Sequence, residues 1–402
     1  MIKLDELLTT LCPHGVPYVP ISEMGTLTRG KRFVHADAVD EGIPCVHYGE
    51  LYTYYGISTA EARSHIRQEL APKLRYAKKN DVIIVGAGEN DTDIGIAVAY
   101  LGDEKVAVHD ACYIFRQNND PKYISYCLRT YDYHAQIKKY VSSGKICAIS
   151  AEGLGKARLP IPPIEIQKRI VEILDMFTEL TSLLKEELTL RTKQYDYYAR
   201  RILDTNNHNI WGDPKRIEYK SIKDVYTRLK GTPITAGKMK EIDNPIGDVR
   251  IFAGGKTVVT ALEDDIPNAN VTRVPSVLVQ SRGVIDFIYY ERPFTFKNEM
   301  WAYTAENKIE VKYLYYILKN NVKRFRELAS GTGSLPQISL PVTENYKIPV
   351  PPFEVQKRIV EALDSFDELC NSDEYGLLAE IIVHQQQYDY YRDKLLKFKE
   401  AI

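Results

Sequence analysis

No apolar run in this 402-residue chain is long enough to cross a bilayer as a helix. The N-terminal MIKLDELL also lacks the parts of a signal peptide, so the expectation is a cytoplasmic protein with no membrane partner. An excess of either charge is missing too. With 53 Lys and Arg against 54 Asp and Glu, the formal net charge is −1, and no global basic field advertises nucleic acid. Cysteine is sparse and scattered: Cys12, Cys45, Cys112, Cys127, Cys147 and Cys370 form no C-x-x-C pair. That argues for reduced thiols and against structural zinc.

Catalytic motifs are lacking as well. The stretch AGGKT at Ala253–Thr257 suggests a phosphate-binding loop, but the glycine required five positions before Gly255 is Arg250. VGAGEND at Val85–Asp91 suggests a dinucleotide loop, yet Asp91 stands where the third glycine belongs. Asn244-Pro245-Ile246-Gly247 lacks the second proline and the aromatic residue of an adenine-methylating tetrapeptide. There is no H-E-x-x-H or G-x-S-x-G, and the eight histidines show no ligand spacing. These silences point to a chain that binds rather than reacts. No cofactor is expected: not S-adenosylmethionine, ATP or a divalent metal.

What is present is a duplication. PPIEIQKRIVEILDMF from Pro162 returns as PPFEVQKRIVEALDSF from Pro351, and QYDYYARRIL from Gln194 returns as QYDYYRDKLL from Gln387. Two prolines suit the first turn of a helix, whose leading N–H groups lack partners anyway. Apolar residues follow at Ile166, Ile170, Ile173, Phe177, Leu180 and Leu184, a heptad seam that slips and resumes through Leu188, Tyr195, Tyr198 and Ile202. The second copy repeats it at Val355, Ile359, Ala362, Phe366 and Leu369, then Leu377, Ile381, Tyr388, Tyr391 and Leu395. Each copy reads as a helix of roughly 40 residues, about 60 Å long. Such a seam pairs with its duplicate as a two-helix coiled coil or packs separately on the globular parts. The second copy is four residues longer between its motifs and contains Gly376, a candidate kink. Pairing is expected to continue through this excess, so that Ser372–Tyr375 lengthens the spacer.

The repeat extends further. Ser142–Ser150 (SSGKICAIS) answers Gly331–Ser339 (GTGSLPQIS), Tyr123–Leu128 answers Tyr313–Leu318, and Pro13, Tyr18, Ile21 and Gly30 answer Pro214, Tyr219, Ile222 and Gly231. The segment up to Leu11 aligns with the tail of the first long helix, which predicts that the two chain ends meet. Between the matched ends the interiors diverge, which fits either two readers of different targets or drift after an old duplication. Short apolar runs broken by glycine predict strands, with helices over Asp120–Tyr140 and Val311–Leu328. The expected fold class is α+β: two duplicated domains with mixed, bent sheets, residues 1–160 and 207–349, joined by long antiparallel coiled-coil helices at 161–206 and 350–402.

Binding signals are local. Arg29-Gly30-Lys31-Arg32 and Lys230-Gly231 occupy matched places after a strand. A base beside glycine lets backbone and side chain approach a phosphate together. Bases outnumber acids about two to one from Lys215 to Lys256, and Arg63–Lys79 is similarly biased. Ordinary solvated surface is the competing explanation of either patch.

The repeated P-P-x-E-x-Q-K-R-I-V-E-x-L-D-x-F helix, the G-[KS]-x-x-x-I-S segment before it and the closing Q-Y-D-Y-Y resemble the specificity subunit of type I restriction-modification enzymes. That resemblance implies a non-catalytic chain that reads a split site on double-stranded DNA. One target-recognition domain would serve each half, and two adenine methyltransferase subunits and restriction subunits would be its partners. Candidate DNA contacts are Arg29, Lys31, Arg32, Lys230, Lys256 and Arg282, with Arg or Lys suited to guanine. Two rivals stay open: a DNA-modifying enzyme, separable by a labelled-methyl assay, and a protein-binding adaptor, separable by competition with random DNA.

Overall fold

The computed structural model describes residues 4–142, 144–212, 217–255, 257–330, 335–371 and 376–401. The chain divides into two compact units, Met1–Lys185 with Ile381–Ile402, and Glu186–Glu380. Each unit is a globular α+β part that carries half of the helical segments.

In the first unit two five-stranded mixed sheets form the body. One is centred on Val82–Val85 and Cys112–Gln117, flanked by Gly25–Arg29 and Ala97–Tyr100. Val82–Val85 and Ala97–Tyr100 are apolar and buried at every position, as suits strands covered on both faces. The second unit answers with a four-stranded antiparallel sheet around Ser276–Gln280 and Trp301–Thr304, and a three-stranded sheet around Val249–Phe252. The expected helix Asp120–Tyr140 is two helices, Pro121–Cys127 and Tyr131–Lys138, because Thr130 caps a new N-terminus with its hydroxyl. Val311–Leu328 likewise divides into Lys308–Asn320 and Val322–Glu327 at Asn321.

The repeated motifs form equivalent joints in both units. In the first, the helix Ile164–Leu203 buries Ile166, Ile170, Val171 and Leu174 in the main core. Gln167 Nε2 donates to the Pro162 carbonyl at 2.8 Å, closing the proline turn. Asp175 pairs with Lys122 and accepts from the Tyr126 hydroxyl at 2.8 Å, and Tyr123 donates to the Pro160 carbonyl at 2.9 Å. In the second, Gln356 donates to Pro351, Asp364 takes Lys312 and the Tyr316 hydroxyl, and Tyr313 donates to Pro349. Tyr18–Pro20 pairs antiparallel with Arg158–Pro160, and Glu218–Ser221 pairs likewise with Lys347–Val350. The repeated tyrosines, glutamines and aspartates are therefore the joint between each globular part and its helix.

The chain ends meet inside the first unit. Val16 bridges Glu400 in parallel, Arg158 pairs with Glu400 at 2.6 Å, and Leu4, Leu7 and Leu8 join the core that holds Leu395 and Phe398.

Helical pairing is antiparallel in the first unit, where Phe177 stacks on Tyr391 at 5.4 Å while Thr181, Ser182 and Lys185 share a cleft with Gln385 and Tyr388. In the second unit Tyr198 stacks on Phe366 at 5.6 Å. The heptad needs correction in two places. Leu180 is exposed and the buried seam runs instead through Thr181 and Leu184. The second copy is not one long helix: Phe353–Asn371 ends before the Ser372–Tyr375 segment, which lies outside the described residues, and Leu377–Leu395 starts afresh. Gly376 is buried at the new start and its carbonyl accepts from Glu380 N at 3.1 Å, the position of a helix cap rather than of a kink within one helix.

Candidate nucleic-acid interface

Arg29 closes the edge strand Gly25–Arg29, opposite Tyr113. Its Nε donates to the Asp110 carbonyl at 2.7 Å, and its own carbonyl accepts from Arg75 at 2.6 Å. Arg75 comes from the basic Arg63–Lys79 stretch, so folding joins the two patches that sequence kept apart. Lys31 and Arg32 follow on the exposed surface. Much of the remaining patch is already partnered: Arg67 with Asp37, Lys79 with Asp103 at 2.7 Å, and Arg63 over the Tyr54 ring at 4.4 Å.

The glycines beside these bases serve the fold itself. A Cβ on Gly30 would lie 2.2 Å from the His109 carbonyl oxygen, and one on Gly231 would lie 2.0 Å from that of Phe296. The shared glycine lets the chain leave its strand against a neighbouring backbone. Lys230 is exposed, with its carbonyl held by Asn270 Nδ2 at 2.7 Å. Arg282 is exposed beyond the strand Ser276–Gln280, its carbonyl accepting from Gly255 N at 3.1 Å. Lys256 lies outside the described residues.

Sequence reasoning missed an aromatic cluster behind Arg32. Phe33 sits 5.0 Å from His109, and His109 sits 4.5 Å from His47, which also touches Tyr48. His109 Nδ1 accepts from Ala111 N at 3.1 Å, which leaves Nε2 to donate to the Phe33 carbonyl at 3.1 Å. Burial holds both imidazoles below their ordinary 6.5, and the paired ring and Arg32 press His109 further down, while Asp110 opposes. No ligand spacing in the sequence could flag this pair, because the sheet brings it together. Among the described residues, no group of three or more His, Cys, Asp or Glu is placed to hold a metal ion. No helix of the described residues is long and apolar enough to cross a membrane.

The two glycine motifs also acquire a role. Gly86 sits against the Tyr113 ring, where a Cβ would lie 2.4 Å from a ring carbon, and the Tyr113 hydroxyl donates to the Ile149 carbonyl. Cys147–Ala148 pairs antiparallel with Ala87–Gly88. In the second unit Arg282 bridges Gln337, and Ile338 N donates to the Ser281 carbonyl at 2.9 Å, just as Ile149 N donates to Gly86. The loop after the central strand and the repeated G-[KS]-x-x-x-I-S segment are therefore paired partners in both units.

Comparison with known proteins agrees with this duplicated plan. The family described as "Type I restriction modification DNA specificity domain" matches residues 13–190 and again 214–382. A type I restriction enzyme specificity subunit of Escherichia coli is 31% identical over 264 residues, 60% of this chain and 63% of that one. A Mycoplasma pneumoniae chain named as a type I specificity subunit is 29% identical over 245 residues, covering 59% of this chain and 92% of its own. The crystal structure of a type I restriction-modification S subunit from M. genitalium superimposes with a TM-score of 0.58 at 16% identity, covering 95% of this chain and 96% of that one. Two copies of one family unit, each ending in the helix that carries the Gln and Asp joints, account for most of the sequence, and the chain belongs to the family of type I restriction-modification DNA specificity domains.

Proposed function

We propose that this chain is the non-catalytic, cytoplasmic specificity subunit of a type I restriction-modification complex, in which each globular part reads one half of a split DNA site. One observation carries the reading: the joints between globular part and helix coincide residue for residue, whereas the sheets they hold differ, five and five strands against four and three. A constant frame with unlike bodies is what two readers of different half-sites require. Recognition domains near residues 1–160 and 207–349 and helices near 161–206 and 350–402 follow from the same plan. Arg29, Lys31, Arg32, Lys230, Lys256 and Arg282 serve as phosphate or guanine contacts.

Partner docking uses the helix Ile164–Leu203. Met176, Leu183, Leu190 and Tyr197, each seven residues apart, are 54–57% exposed and form a second apolar stripe besides the buried seam. The stripe is where two methyltransferase subunits dock, with restriction subunits added to that core. Replacing Tyr18–Leu159 by the same segment of a relative tests the division of labour. One half of the methylated site should change and the other should stay; a change in both halves, or in neither, sinks the proposal.

A further inference from the structure

Each unit lifts one large aliphatic side chain into solvent at the same place. Ile146 is 64% exposed and Leu335 is 63% exposed, and they occupy the same position of the repeated G-[KS]-x-x-x-I-S segment. The residues three positions on, Ile149 and Ile338, are instead the buried anchors. Antiparallel bridges brace the loop foot, Ser142 with Ala148 and Ser330 with Gln337. Ser150 then caps the helix Ala151–Gly155 by accepting from Gly153 N at 3.0 Å, which fixes the far side of the first loop.

At the foot of each segment stands a base that the sequence also singles out. Arg29 lines one cleft with Tyr140, Ser142, Ala148 and Ser150. Arg282 bridges Gln337 directly, and Leu335 Cδ2 lies 4.0 Å from where a Cβ on Gly283 would be. Of the acids close by, Glu299 pairs with Lys297 at 3.1 Å, while Asp110 lies beside Arg29, whose Nε donates to its carbonyl. An exposed aliphatic side chain near a braced foot that also carries an arginine is the combination by which proteins press an apolar group between base steps while holding the phosphates.

We infer that Ile146 and Leu335 are apolar wedges, one per unit, each pressing into duplex DNA beside the phosphate contact of its own unit's arginine, Arg29 or Arg282. The inference rests on the DNA-reading function proposed above and adds a division within it. Elements that differ between the units read the half-sites, and this shared element contacts what both half-sites have in common. It therefore contributes affinity and local unstacking without selecting bases.

Selection from a pool of random-sequence duplexes, using the full chain in its assembled complex, tests this. The probe sites it returns are then remade with 2-aminopurine in each half. Ile146→Ser with Leu335→Ser should weaken binding about tenfold, leave both selected half-sites unchanged, and abolish the 2-aminopurine brightening that the wild type produces. Arg29→Ala with Arg282→Ala should instead lower the salt dependence of binding. A serine variant that selects different bases would show that the tips read sequence, overturning the inference. So would a variant that binds and brightens like wild type, or one that keeps DNA affinity but no longer holds its methyltransferase partner. Far-ultraviolet circular dichroism and melting of the variants separate misfolding from these outcomes. Should misfolding occur, the milder Ile146→Ala and Leu335→Ala pair takes the same test, with a smaller loss expected. Failure of the wild type to select any duplex would sink the DNA-reading proposal itself.

Discussion

Gln167 and Gln356 sit at the same place in the repeated motif, yet their surroundings differ. Gln167 is buried and makes three bonds: to Pro162, to Asn119 Oδ1 at 3.0 Å, and from Asp120 N at 3.0 Å. Gln356 donates only to Pro351, and its Oε1 is buried without a hydrogen-bond partner. Leaving buried partners unpaired is what costs stability. Gln167→Leu is therefore expected to destabilise by about 2–3 kcal/mol in urea unfolding, and Gln356→Leu by under about 1 kcal/mol. Equal losses would show that the motif glutamine has another duty. The His47–His109 pair gives a second residue-scale expectation. Both imidazoles lie below 6.5 in the folded chain, so the unfolded chain binds more protons as pH falls. Their contribution is whole above about pH 6.5 and is lost as pH drops through the depressed folded values. Melting temperature should fall from pH 7 to pH 5, and His109→Gln with His47→Gln should flatten that slope; an unchanged slope would place the proton uptake elsewhere.

At the scale of elements, the two long segments are unequal. Phe177 to Tyr198 is 21 residues inside one unbroken helix, whereas Phe366 to Tyr391 is 25 residues with a helix start after Gly376. Equivalent rings stack in each unit, Phe177 on Tyr391 and Tyr198 on Phe366. Continued pairing through the excess is the sequence expectation, and the Ser372–Tyr375 segment that carries it lies outside the described residues. Deleting Ser372–Tyr375 is expected to shorten the unread spacer of the methylated site by about one or two base pairs if that segment pairs. Inserting four residues after Glu187 of the unbroken helix should lengthen it, since four residues rise roughly 6 Å, about two base-pair steps. Methylome sequencing of both variants decides between the helices. The exposed stripe is testable separately. Leu183→Asp with Leu190→Asp should change stability by no more than about 0.5 kcal/mol per site and prevent co-purification of the methyltransferase subunits. Retained co-purification would remove the stripe from the interface.

For the molecule as a whole, a duplicated frame explains why one chain carries two unlike sheets. Each body joins its helix through a Gln, an Asp and two Tyr, and those positions are fixed by hydrogen bonds. The bodies between them are free to diverge, as long as they present the same strand pairs at the base. A chain built in this way should recognise without reacting. Incubated alone with duplex DNA and labelled S-adenosylmethionine, it is expected to transfer no methyl group, and calorimetry should detect no micromolar binding of that cofactor; transfer would restore the modifying-enzyme alternative.

The sequence by itself determined the duplication, the paired helices, the meeting of the chain ends and the family, because each rests on periodicity or on residues repeated at fixed offsets. Pro13 through Gly30 returning 201 residues later is enough to place Leu4–Leu11 beside Leu395. Only the tertiary structure decided why Gly30 and Gly231 are glycines, since the clashing atoms are carbonyls of His109 and Phe296, distant in the chain. It also decided that Arg75 joins Arg29, that His47 packs against His109, and that Ile146 and Leu335 stand out in solvent while Ile149 and Ile338 are buried. Periodicity reports which face of one element is apolar; it carries no information about which distant backbone or side chain the sheet brings against that face.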